Sequence, residues 1–259
     1  MPTEAQTSRI IRDVQSSTAR VSLHNPPLNV IDFAMMDEQA QAISDIESRP
    51  EISMIVISGE GKSFSAGVDV AAHTPDKVEA MLSKFHGVIR ALVSTRKVTI
   101  AAVNGHCLGG GAELAMVCDL VYTSDDAQWG FPEIKLGCYP PVAVTALAAL
   151  VGQKRAADLI LTGRTISGNE AASIGLAIRA VPRDELDRIV EEALTHLSNL
   201  SPEALAITKK AIYAWDSIHF DKGLARAEKI YLDELMKTED AQEGINAFLE
   251  KREPQWKRR

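Results

Sequence analysis

Apolar runs too short to be helices constrain this chain most. Met54-Ile55-Val56-Ile57-Ser58 stops at Gly59, and Thr99-Ile100-Ala101-Ala102-Val103 stops at Asn104-Gly105. Runs of this length, rich in β-branched residues and closed by turn formers, read as buried strands. Residues 19–23, ended by His24-Asn25-Pro26-Pro27, and residues 120–123 read as further strands. Helical spacing lies between them. Residues 32–47 carry Met35, Met36, Ala40, Ile43 and Ile46, and residues 76–92 place Val78, Met81, Leu82, Phe85, Ile89 and Leu92 on one face. A helix over 112–118 starts on a glycine cluster. Past about residue 140 the pattern turns mostly helical, over 142–151, 155–161, 168–174, 185–198, 202–214 and 221–250. The chain therefore reads as α/β, with strand–strand–helix units coiling forward and a helical end. Ser201-Pro202 marks a boundary, with Ser201 as N-cap and Pro202 at the first helical position. No fixed-period repeat or low-complexity linker interrupts it.

The 259 residues allow one large domain, or one domain and an appendage. Hydrophobic residues at 46% and charged residues at 24% suit a chain that buries a real core. Aromatic residues are only 5%, which favours helices packed on strands over an aromatic-rich β-sandwich. The net charge of −7 removes a chain-wide basic footprint for nucleic acid. Only residues 251–259 are locally basic. Cys107, Cys118 and Cys138 lack paired spacing, which argues against a disulfide framework and against a zinc site, and fits a reducing compartment. Residues 1–12 lack the apolar core of a secretory signal and the Arg-rich character of a transit peptide. No run reaches the ~18 apolar residues of a membrane span. The expectation is a cytoplasmic protein with neither membrane nor nucleic acid as partner.

Three segments could carry chemistry. Ser63-Phe64-Ser65-Ala66-Gly67-Val68-Asp69 follows a buried strand, and its small residues let backbone approach a ligand; a plain strand-to-helix turn has the same composition. Asn104-Gly105-His106-Cys107-Leu108-Gly109-Gly110-Gly111-Ala112-Glu113 puts three glycines before a helix, where free N–H groups favour an anion. It matches neither dinucleotide nor P-loop spacing, and close helix–strand packing would also use those glycines. In Phe131-Pro132-Glu133-Ile134-Lys135-Leu136-Gly137 a carboxylate sits among apolar neighbours, where burial is costly unless it has a task. A capping or solvated Glu is the plainer alternative.

Taken together, and in this order, the three segments resemble the crotonase (enoyl-CoA hydratase/isomerase) superfamily over nearly the whole chain. The resemblance implies a ββα superhelical core over 1–200 holding the site for a CoA thioester, and a C-terminal helical region over 201–259 for trimerisation and CoA contact. It implies that the backbone N–H groups of Val68 and Gly110 polarise the thioester carbonyl, and that Glu113 and Glu133 do the acid–base work. Such paired donors stabilise a developing enolate, and two glutamates can split acid and base roles if one is raised by burial. Keeping both acids favours water addition over isomerisation. Lys62, Ala66 and Val68 would border CoA, with Phe248 and Lys251 of a neighbouring subunit's tail at its nucleotide end. Coenzyme A is then part of the substrate, no other cofactor or metal is implied, and the assembly would be a homotrimer or a dimer of trimers.

Where hydratases of this family usually place a glycine, this chain has Pro141, which has no N–H to offer a reacting water. Phe131 stands where Gln is usual. A narrower resemblance runs through Ala72-His73-Thr74-Pro75-Asp76, residues 81–87, the Pro140-Pro141 pair and residues 231–236. It is similar to cyclohexa-1,5-diene-1-carbonyl-CoA hydratases, which implies a flat cyclic dienoyl thioester in a pocket lined by Phe85, Trp129, Phe131 and Pro141. A general enoyl-CoA hydratase of fatty-acid oxidation, or an isomerase on the same scaffold, is the alternative. His73, His86 and His106 lack metal-ligand spacing, and His86 reads as a structural or hydrogen-bonding residue. Cys107 and Cys118 read as small core residues and Cys138 as a candidate for the pocket wall.

Overall fold

The computed structural model describes residues 8–213 and 216–256. In chain order the elements are β1 (Ile10–Gln15), β2 (Thr18–Leu23), α1 (Phe33–Glu47), β3 (Met54–Gly59), α2 (Val78–Ser94), β4 (Val98–Val103), β5 (His106–Leu108), α3 (Gly110–Met116), β6 (Leu120–Ser124) and β7 (Gln128–Gly130). Then follow α4 (Pro141–Val151), α5 (Gln153–Thr162), β8 (Thr165–Ser167), α6 (Gly168–Ser173), β9 (Arg179–Val181), α7 (Leu186–Ser198), α8 (Pro202–Tyr213), α9 (Asp216–Asp233) and α10 (Glu239–Leu249).

Six strands form one sheet in the order β1-β2-β3-β4-β6-β9, and β5-β7-β8 form a second. Only the β1–β2 and β7–β8 pairs are antiparallel. The central parallel strands β3 and β4 are nearly continuous apolar runs because both faces are covered. Ile55, Ile57, Ala101 and Val103 point into the main core with α1 and α2, while Met54, Val56, Ile100 and Ala102 pack with Val190 and Leu194 of α7. The register brings Met54 opposite Val98 and Ile100 opposite Leu120, so β3, β4 and β6 end together at the edge from which the loops at 59–69 and 104–109 leave.

Local chemistry sets the boundaries. Asp32 caps α1 by accepting from Met35 N–H at 2.8 Å. Ser201 accepts from Ala204 N–H, the cap expected of it. The end of the expected 202–214 helix at Ala214, residues 1–7 and the terminal Lys257-Arg258-Arg259 lie outside the described residues. Lys209 of α8 ties the C-terminal helices to the core: its Nζ lies 2.8 Å from Asp119 Oδ2 and donates to Lys97 O.

Two expectations need correction. The helix predicted over 221–250 is two, α9 and α10, separated by a short 3-10 turn at Leu235–Lys237. Thr238 restarts the helix by accepting from Ala241 N–H, a cap that the continuing apolar spacing hid. The edge strand β1 and the short strands β5, β7, β8 and β9 were not foreseen. β1 is largely exposed, and the others are three residues long and exist through their partners.

Candidate active site

The loop after β3 and the turn after β5 are stitched together. Ser65 N–H donates to His106 O at 2.9 Å, and Leu108 N–H donates to Ser65 O at 3.0 Å. Gly67 at φ +102 sits so close to the second segment that a Cβ there would fall 2.9 Å from Leu108 O and 3.4 Å from the Gly110 nitrogen. Only glycine accepts that conformation and that approach. Val68 and Gly110 are thereby neighbours: a Cβ on Gly110 would stand 3.3 Å from the Val68 nitrogen. Among the described residues neither amide has an acceptor of its own. Both residues border a cavity of about 400 Å³. Two unpaired donors side by side suit an oxygen that gains negative charge.

Glu113 lies on α3 and is buried. Its Oε1 accepts from Val142 N–H at 2.8 Å and from Ala143 N–H at 2.9 Å. The carboxyl thus sits on the N-terminus of α4, where donors and helix dipole favour negative charge. Pro141 opens that helix and faces the cavity; having no N–H, it leaves the next two amides to hold the acid. Burial still prevails and pushes the Glu113 carboxyl up to about 7, with the Ala143 and Val142 amides pulling the other way.

Glu133 reaches the same cavity from the 3-10 turn at Pro132–Leu136. Burial, then the nearby charge of Glu113, push its carboxyl well above the ordinary value. Its Oε2 is buried without a partner. Gly109, at φ +52, makes room for it: a Cβ there would meet Glu133 Oε1 at 2.5 Å. Two carboxyls of unequal proton affinity therefore share one cavity with two free amides. Glu133 is the more firmly protonated of the two, while Glu113 titrates near neutral pH.

Of the other expected residues, Ala66, Phe85, Pro141 and Phe248 border the cavity. Trp129 and Phe131 do not, which corrects the expected acyl lining. Both are fully buried, and Trp129 Nε1–H donates to Thr123 Oγ1 at 3.0 Å, a partner in the core that its indole needs when buried. Lys62 lies outside the cavity and its carbonyl accepts from Arg183 Nη2. Lys251 also lies outside; its neighbour Arg252 borders the cavity and pairs with Glu243 and Glu250. Within the chain itself, α10 brings Ala247 and Phe248 to the cavity.

Other wall residues had no role assigned from the sequence. Tyr231, His73, Leu82 and Tyr139 line the cavity. Tyr231 packs edge-on against Tyr139 with ring centroids 5.2 Å apart. Burial, then Cys138 and Glu133, push the Tyr231 hydroxyl up. They come from α9, the 3-10 turn at Val70–His73, α2 and the turn before α4, and long-range packing brings them together. Burial raises Cys118 to about 12 and Cys138 to about 11, which keeps both thiols protonated. Among the described residues no helix is long and apolar enough to cross a membrane.

A family model described as enoyl-CoA hydratase/isomerase matches residues 13–259. A Thauera aromatica protein named cyclohexa-1,5-dienecarbonyl-CoA hydratase is 35% identical, over 94% of this chain and 94% of that protein. The crystal structure of an enoyl-CoA hydratase from Mycobacterium avium subsp. paratuberculosis superposes with a TM-score of 0.86 at 27% identity, covering 96% of this chain and 98% of that one. That of an enoyl-CoA hydratase/isomerase from Xanthobacter autotrophicus gives 0.86 at 29% identity, covering 94% and 93%.

Proposed function

The chain belongs to the enoyl-CoA hydratase/isomerase family, and from that premise we propose that it is a hydratase, adding water to an α,β-unsaturated acyl-CoA thioester. The observation that carries this reading is the meeting of Glu113 and Glu133 with the free amides of Val68 and Gly110 at one cavity. The thioester oxygen accepts from both amides, which stabilise the enolate that forms as water attacks. Glu113, ionised near neutral pH, takes a proton from the attacking water. Glu133, kept protonated by burial and by its neighbour's charge, delivers a proton to the α-carbon. The sum is one water added across the double bond, with a proton moved from Glu133 to substrate and one from water to Glu113. No resident cofactor enters this scheme; coenzyme A arrives as part of the substrate.

For the acyl group we propose a cyclic dienoyl unit, cyclohexa-1,5-diene-1-carbonyl-CoA. The likeness to the Thauera protein of that name supports it, as does a compact wall of Val70, Leu82, Phe85 and Tyr231. The Phe248 and Arg252 end of the cavity suits the CoA moiety. An apolar groove bordered by Val144, Leu150, Phe220 and Ile230 supports a homo-oligomer, a trimer or a pair of trimers, in the cytoplasm.

The deciding assay follows the absorbance of cyclic dienoyl-CoA and linear enoyl-CoA in heavy-oxygen water. Incorporation of label with loss of conjugation is the expected result. An unlabelled product with a shifted double bond would instead mark an isomerase, and faster turnover of linear substrates would overturn the cyclic assignment.

A further inference from the structure

Helices α2 and α9 meet beside the cavity, and between them lies a side chain that the acid–base scheme does not use. His86 is fully buried and borders the cavity with Met81, Leu82 and Phe85 of its own helix. Its Nδ1 lies 2.7 Å from Glu228 Oε1. The same oxygen accepts from Arg90 Nη2–H at 2.8 Å. Burial alone would raise the Glu228 carboxyl, but the bonds and charges of His86 and Arg90 outweigh it and hold the group below the usual range. Glu228 is therefore an anion, which only accepts. The Nδ1 that faces Glu228 therefore carries a proton, and Nε2 is left over on the other edge of the ring.

That Nε2 is buried and has no partner. Buried polar atoms in folded proteins are almost always paired, and an orphan calls for a reason. Here a glutamate and an arginine orient the ring, so the orphan is built rather than accidental. The neighbouring wall of α2 is apolar, so within the protein nothing on that side answers it. Holding the ring in this orientation is useful if a bound molecule brings a polar group to Nε2.

We propose that His86 is a specificity-determining residue of the acyl pocket, its Nε2 hydrogen-bonding to a hydroxyl carried by the acyl group, so that hydroxylated acyl-CoA thioesters are held in preference to their hydrocarbon counterparts. This rests on the reading of the cavity as a CoA-thioester site. Glu228 and Arg90 are positioning residues that fix the ring. Water addition itself places a hydroxyl on the acyl group, so the same nitrogen would grip a ring that bears the newly added oxygen.

Calorimetry on the full chain tests this with saturated thioesters that have no hydroxyl β to the carbonyl and so cannot be dehydrated: cyclohexanecarbonyl-CoA and its counterparts hydroxylated at ring carbons 3 and 4. At least one hydroxylated isomer is expected to bind the wild-type protein about tenfold more tightly than the parent. In His86→Leu that preference falls to within about twofold, while the parent binds as before or better. Glu228→Gln, which frees the ring without removing it, reduces the preference. Equal binding of all isomers by the wild-type protein overturns the proposal without any variant, should His86→Leu fail to fold. So does a preference that survives intact in either variant. Failure of the hydratase reading looks different: thioesters bind with the hydroxyl preference, yet no enoyl-CoA is hydrated.

Discussion

Replacing Glu113 by Gln should stabilise the protein while removing its activity, and the stabilisation should grow with pH. A buried carboxyl raised from 4.5 to about 7 binds more protons in the folded than in the unfolded chain between those values. Stability therefore falls as pH rises through that window, because unfolding releases the proton that burial holds. The cost of this one group is about 1 kcal/mol at pH 5 and about 3 kcal/mol at pH 8. The Gln side chain keeps an oxygen for the Val142 and Ala143 amides but carries no charge, so it escapes that cost. For a chain of this size about 1 kcal/mol moves the melting temperature by roughly 2–4 °C. The variant should therefore melt higher than wild type at pH 8, and its lead should shrink by roughly 5 °C at pH 5. Differential scanning calorimetry of both proteins, without ligand, at the two pH values measures this directly. Turnover of the variant should drop by about 10²-fold or more, since the base is gone. A constant gap between the two proteins across pH, or a variant that melts lower at pH 8, would refute the claim that Glu113 carries a buried charge at neutral pH.

The pH profile of kcat/KM should rise through about 7 as Glu113 ionises and fall at higher pH as Glu133 loses its proton; a flat profile between pH 5 and 9 would remove this pair from the chemistry. Gly109→Ala forces a Cβ to within 2.5 Å of Glu133 Oε1 at a φ of +52. It should cost about 1–3 kcal/mol of stability and most of the turnover, read by thermal melt and initial rates. Trp129→Phe removes the bond to Thr123 in the core, not a pocket contact. It should lower stability by about 1–3 kcal/mol and leave KM unchanged, and a several-fold rise in KM without a stability loss would return Trp129 to the acyl wall.

What could be read from the chain and what could not divides along sequence distance. The strands β3 and β4 were legible because both their faces are covered, which writes a nearly unbroken apolar run into the sequence. The glycine-rich segments around Gly67 and Gly110 were legible because close backbone approach demands small residues in a row, and such rows are local; the roles of Val68, Gly110 and Glu113 came only with the family resemblance. Glu133 was legible for the opposite reason, a lone acid where solvation is poor. Trp129 was placed in the acyl wall on the resemblance alone, and packing puts it in the core. β7 sets Trp129 opposite Cys107 and Ile166 in the second sheet, and the indole N–H finds Thr123 on β6. His86, Glu228 and Tyr231 belong to α2 and α9, whose spacing records only that each has an apolar side, and Phe248 of α10 was reached only through the family resemblance. Which helix each side meets is settled by packing at long range. The proposed acid–base centre is thus written in contiguous motifs, whereas the wall that would choose the acyl group is assembled from residues far apart in the chain. Chains that share the three motifs can therefore differ in substrate without any change in those motifs, and differences should be sought where α2 meets α9.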